Sequence, residues 1–104
     1  MTGEHCGITP DYSEISIVEI EPEPRLNSYQ RAMVYANNIA EEMLGRYMLL
    51  TWYDRDRDFE SPQHASECHE NSAIPGYVDY ALNHGATLKI DFYQGRYVFF
   101  FLDL

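Results

Sequence analysis

The chain has little positive charge, with only 7 Lys and Arg among its 104 residues against 17 Asp and Glu, and its net charge is −10. Binding to nucleic acid or to an anionic membrane usually needs a cluster of basic side chains. The nearest approach to one is Arg55 and Arg57, and each of these is flanked by aspartates. We therefore expect neither nucleic acid nor membrane as a partner. A basic protein or a cation suits the field of this chain better.

Other functional signatures are also missing. Two cysteines, Cys6 and Cys68, do not make a disulfide framework, and no CxxC pair occurs. The six glycines form no phosphate-binding loop. The first residues lack the basic and apolar regions of a signal peptide, and the longest nearly apolar run, residues 98–102, is too short to span a bilayer. These absences predict a cytoplasmic protein and give no reason to expect a cofactor.

The length and composition indicate one globular domain, because 45% of the 104 residues are hydrophobic. Residues 1–13 are polar and contain Gly and Pro, so we expect a flexible N-terminal arm there. Residues 14–104 then form a single α+β domain.

Hydrophobic spacing predicts the element order β-α-β-α-β-β. Strands are expected at 14–20, 46–53, 86–93 and 96–104. The longer helix begins after Asn27 as its N-cap and ends at Gly45, and a shorter helix runs from Pro75 to Gly85. The simplest fold is a two-layer sandwich: about four strands, mostly antiparallel, with both helices on one face of the sheet.

The second face of that sheet is too apolar to be left in water. Six side chains of the second and last strands can lie there, and they are Tyr47, Leu49, Tyr53, Tyr97, Phe99 and Phe101. A symmetric homodimer would bury such a face. The alternative is that residues 1–13 fold over it.

A polar stretch, residues 54–71, follows the second strand and begins with three aspartates at alternate positions. If the strand continued, Asp54, Asp56 and Asp58 would line one side, and stacked carboxylates can hold a divalent cation. The alternative is a solvated edge in which Arg55 and Arg57 neutralise their neighbours.

The same stretch carries His64, Cys68 and His69. His64 and Cys68 have the spacing of one helical turn and could supply two zinc ligands, with His69 next to them. His5 and Cys6 of the N-terminal arm could complete a set of two Cys and two His, although adjacent residues such as Cys68 and His69 seldom bind one ion together. Cys68 beside a histidine could also be a thiol nucleophile, although neighbouring glutamates would raise the pKa of a thiol. The alternative is that all three are ordinary polar loop residues.

Three functional hypotheses follow. The leading one is a small acidic, non-enzymatic binding or regulatory domain that self-associates through the aromatic sheet face, or that binds a basic protein. The second is a protein that binds zinc or another divalent cation through residues 54–70. The third is a small thiol-dependent enzyme.

Overall fold

The computed structural model describes residues 12–63 and 75–104. They form five strands and two helices. The strands are β1 (Ser16–Ile20), β2 (Tyr47–Asp54), β3 (Phe59–Ser61), β4 (Leu88–Phe92) and β5 (Tyr97–Asp103). The helices are α1 (Tyr29–Leu44) and α2 (Gly76–Asn83).

The five strands make one mixed sheet in the order β1-β4-β5-β2-β3. β1 pairs with β4 in parallel, and the other three pairings are antiparallel. The predicted α+β class is confirmed, but the sheet has one strand more than expected. The extra strand, β3, is only three residues long and lies in the polar stretch of residues 54–71. It is too short to show the hydrophobic alternation from which a strand is predicted.

The helices cover opposite faces of the sheet, which corrects the prediction that both lie on one face. Ala32, Ala36 and Ala40 of α1 are fully buried against the side of the sheet that carries Phe99 and Phe101. On the other side, Val78 and Ala81 of α2 pack with Val98 and Phe100. We call these the α1 face and the α2 face. The physical reason is β5, which is apolar on both sides and so needs a cover on each.

The cover of the α1 face is a helix with small residues beneath it. Because the alanines at i, i+4 and i+8 are small, the axis of α1 can lie close to the sheet. The larger side chains beside the alanines then pack on the sheet as well. Burying each phenylalanine of β5 contributes roughly 1.5–3 kcal/mol. α1 is capped one residue later than predicted, because the Ser28 hydroxyl, not Asn27, accepts the Arg31 N–H at 3.3 Å. Gly45 ends the helix as expected, with a positive φ of 78°.

A β-bulge in β2 rearranges its two faces. Leu49 is paired with Phe101 and Thr51 with Phe100, so Leu50 is the extra residue. Such an insertion exchanges the faces of all residues beyond it. Tyr47 and Leu49 therefore pack on the α1 face, whereas Tyr53 packs on the α2 face.

The predicted N-terminal arm lies mostly outside the described residues. Tyr12, which is described, packs into the cluster on the α2 face, and the Lys89 ammonium lies 4.7 Å from the centre of its ring. Neither α1 nor α2 is long and apolar enough to cross a membrane.

Candidate binding surface

The segment that follows β2 is a tight turn and not a continued strand. Asp54, the last residue of β2, is almost fully buried. Its carboxylate accepts the Arg57 Nε–H at 2.9 Å and the backbone N–H of Asp56 at 3.0 Å. These two bonds fold the chain back on itself, and β3 starts at Phe59. The three aspartates were expected to line one side only if the strand continued, and β2 ends at Asp54, so this condition is not met.

Asp56 binds Arg96 and Tyr97, which lie at the turn between β4 and β5. Its Oδ2 accepts from Nε and Nη2 of Arg96 at 2.9 and 2.8 Å, and from the Tyr97 hydroxyl at 3.3 Å. The Arg96 guanidinium holds the pKa of the Asp56 carboxyl below its usual value of 3.8. This cluster joins the β2–β3 turn to the turn between β4 and β5, and Arg96 also donates to the Leu26 carbonyl at 3.2 Å.

Asp58 has a third, separate partner. Its Oδ1 accepts the hydroxyl of Tyr53 at 2.8 Å, and that bond is the main reason that the pKa of Tyr53 is raised. Asp58 also has a positive φ of 49°, which short polar side chains tolerate in turns.

The three aspartates therefore point to three different sets of partners. Across residues 12–63 and 75–104 no group of three or more His, Cys, Asp or Glu side chains is close enough to hold a metal ion. His64, Cys68 and His69 lie outside the described residues, so a zinc site or a reactive thiol that uses them stays a prediction.

The six residues predicted to form a self-association face do not share one exposed face. Phe99 and Phe101 are fully buried beneath α1, together with Tyr97. The other three are half-buried, and the bulge places Tyr53 on the opposite side of the sheet, stacked on Tyr77 with ring centres 4.9 Å apart. The apolar second face that the sequence predicted does exist, and α2 covers part of it.

An acidic cleft lies at the end of β1. It has a volume of about 500 Å³ and is lined by Glu19, Ile20, Glu21, Asp91 and Gln94. Glu19 and Asp91 occupy the same register of β1 and β4, so their carboxylates lie next to each other on the α2 face. Partial burial, with a smaller contribution from Glu19, raises the pKa of the Asp91 carboxyl, although Asp91 accepts the Gly95 N–H at 2.6 Å.

This cleft is not evident from the sequence. Residues 19 and 91 are far apart in the chain, and only the parallel pairing of two distant strands brings them together. The available signal was the acidic sequence Glu19-Ile20-Glu21 at the end of a predicted strand.

A second cleft, of about 470 Å³, lies at the start of α1 between the loop of residues 22–28 and the helix. Tyr93 holds this loop, because its hydroxyl donates to the Pro22 carbonyl at 2.6 Å and accepts the Leu26 N–H at 2.8 Å. The Arg25 guanidinium lies 4.1 Å from the centre of the Tyr93 ring, and Arg31 also lines the cleft.

The family model that matches the chain is described as a domain of unknown function, DUF5619, and it covers residues 15–101. The chain belongs to this family. The DUF5619 match includes all five strands and both helices except the last two residues of β5.

The crystal structure of AF1514, described as a novel protein from Archeoglobus fulgidus DSM 4304, is similar to this DUF5619 domain. The two share 28% sequence identity with a TM-score of 0.68, and the match covers 86% of this chain and 95% of that one. It supports the α+β fold with a mixed five-stranded sheet. No curated protein is detectably similar to the chain.

Proposed function

We propose that this domain is a non-enzymatic binding domain whose partner is a cationic protein. The proposal rests on the excess of acidic side chains and on the contacts that the few basic side chains make. Five of the seven basic side chains are held against groups of the same chain: Arg25 on Tyr93, Arg55 on the Gln94 carbonyl, Arg57 on Asp54, Arg96 on Asp56, and Lys89 on Tyr12.

The outer field of the protein is strongly negative, because 17 acidic side chains outnumber 7 basic ones. Arg57 lies over the rings of Tyr29 and Phe59, with centroid distances of 4.3 and 4.9 Å, and these contacts help to hold it beside Asp54. The net charge of −10 acts at long range on an approaching partner. Such a field raises the association rate of a positively charged partner and repels an acidic one.

The same field bears on self-association. Two copies with a net charge of −10 each repel one another. The aromatic residues predicted to join them are partly or fully covered in the monomer. Self-association stays a prediction, which sedimentation at micromolar concentration tests, but a basic partner has the better support. The cytoplasmic location likewise stays a prediction.

The test is a titration with two eight-residue peptides that differ only in charge, one with alternating Lys and Val and the other with alternating Glu and Val. At an ionic strength of about 0.15 M, where the screening length is about 8 Å, we expect saturable one-to-one binding of the lysine peptide. We also expect its affinity to fall as salt is added. Equal affinity for both peptides, or no binding of either, would contradict the proposal.

A further inference from the structure

We infer that the outer edge of β1 is the docking surface, and that it takes an extended basic segment of the partner as an additional strand of the sheet. This inference rests on the proposed function and names where and how the partner binds.

The first observation is the position of β1 in the sheet. It is an edge strand, and within the described residues its single neighbour is β4. On that inner side the Ser16 N–H donates to the Thr87 carbonyl at 3.0 Å, and the Ile20 carbonyl accepts the Tyr93 N–H at 3.0 Å.

These two bonds determine which backbone groups face outward. Backbone N–H and C=O groups of successive strand residues point to opposite sides, so Ser16, Val18 and Ile20 point toward β4. Ile17 and Glu19 then present two N–H and two C=O groups along the outer edge. An extended peptide can bind all four, which is the usual basis of strand addition.

The second observation is the charge along this edge. The side chains of Ile17 and Glu19 lie on the α2 face, beside Lys89 and Asp91 of β4. Glu19 and Asp91, together with Glu21, border the acidic cleft at the end of the strand. A partner strand with Lys or Arg near Glu19 would bring a positive charge to two carboxylates that otherwise repel each other.

Ile17 supplies an apolar contact on the same edge, because 44% of its surface is exposed. A partner strand with alternating basic and apolar residues fits this edge, because its basic side chains then lie on the α2 face near Glu19, where their aliphatic stems can contact Ile17. Its apolar side chains lie on the α1 face, beside Val18 and Ile20. The outer edge of β3 is a poorer site, since that strand has only three residues and Pro62 follows it.

The main experiment is amide hydrogen exchange on the unmodified domain with and without the alternating Lys-Val peptide. We expect the amides of Ile17 and Glu19 to exchange at least about tenfold more slowly in the complex, because they gain acceptors from the peptide. The amides of Ser16, Val18 and Ile20 should change little.

Two results would contradict the inference. If the peptide binds but the exchange of Ile17 and Glu19 does not change, the edge inference is wrong and the proposed function stands. If the two amides are already protected in the free domain, the edge has a partner of its own and the inference also fails.

Paired variants test the charge and the backbone separately. Glu19→Gln should weaken peptide binding by about tenfold, whereas Glu42→Gln, which makes the same charge change near the end of α1, should weaken it by less than about twofold. Equal effects of the two would show that only net charge matters and would overturn the inference.

The backbone pair is Ile17→Pro and Ile17→Ala. Proline removes an N–H that points away from β4, so it should abolish peptide binding while the inner pairing is kept. Alanine keeps that donor and should retain most of the affinity. Full binding by a folded Ile17→Pro variant would contradict strand addition.

Discussion

Glu19 and Asp91 stand at the same register of two parallel strands and place two carboxylates side by side on the α2 face. The raised pKa of Asp91 means that the folded domain binds this proton more tightly than the unfolded chain does. Ionisation of Asp91 therefore lowers stability as the pH rises through the interval above the ordinary value of 3.8.

Asp91→Asn should accordingly stabilise the domain at pH 7. The amide oxygen can still accept the Gly95 N–H, and the like-charge pair disappears, so we expect a gain of up to about 1 kcal/mol. Urea denaturation at pH 7 and at pH 4 measures it, and the gain should shrink at the lower pH. Asp103→Asn, at the exposed end of β5, is the control. A lower stability of Asp91→Asn at pH 7 would contradict this reading of the pair.

Asp54→Ala should be the most harmful change in the β2–β3 turn. It removes a buried carboxylate that accepts from Arg57 Nε and from the Asp56 N–H, and the expected loss of unfolding free energy is about 1–3 kcal/mol. Asp58→Asn is the control, because the bond of Asp58 with Tyr53 is exposed to solvent and asparagine, unlike alanine, tolerates the positive φ at this position. Thermal or chemical denaturation compares the two variants, and equal losses would mean that burial of Asp54 does not matter.

Thr51→Val tests how α2 is attached to the sheet. The buried Thr51 hydroxyl donates to the Tyr77 carbonyl in the first turn of α2 at 2.9 Å. Valine has nearly the same shape but no donor, so we expect a loss of about 1 kcal/mol. Faster amide exchange confined to α2 should accompany it. In Thr87→Val, where the lost hydroxyl accepts an exposed Asp103 N–H, neither effect should reach that size.

The Asp56–Arg96 pair predicts a specific pH dependence. The pKa of Asp56 is lowered in the folded domain, so the stability that this pair contributes is present above pH 3.8 and is lost as the pH falls through the folded pKa. Carboxyl carbon chemical shifts should show Asp56 titrating below 3.8, and Arg96→Gln should return it toward that value. If Asp56 titrates at the same pH in both proteins, Arg96 is not the cause.

The difference in unfolding free energy between the wild type and Arg96→Gln should also become smaller at acidic pH. A part that does not depend on pH is expected to remain, because Arg96 also donates to the Leu26 carbonyl.

Several features of the fold could be predicted because they depend on local spacing. The stripe of Ala32, Ala36 and Ala40 predicts α1, and Gly45 predicts its end. The alternation of Leu88, Ile90 and Phe92 predicts β4, and the short gap between the predicted strands 86–93 and 96–104 agrees with the antiparallel pairing of β4 and β5. Each of these signals lies within a few residues of the structure it specifies.

The candidate site could not be predicted in the same way. The acidic cleft depends on the parallel register of β1 and β4, which are separated in the chain by both helices and by β2 and β3. The aspartates of the β2–β3 turn are close together in the sequence, but each binds a different side chain. Asp54 accepts from Arg57, Asp56 from Arg96, and Asp58 from Tyr53.

By itself, the sequence determined that this protein is acidic, that it forms an α+β domain, and that both sides of its last strand are apolar. Only the tertiary structure decided what covers each side. The bulge at Leu50 reverses the faces of β2, and the placement of α2 opposite α1 gives the second side its cover. The reason is physical: alternation along a strand says that two faces exist, but the faces are assigned by long-range pairing, and one inserted residue exchanges them.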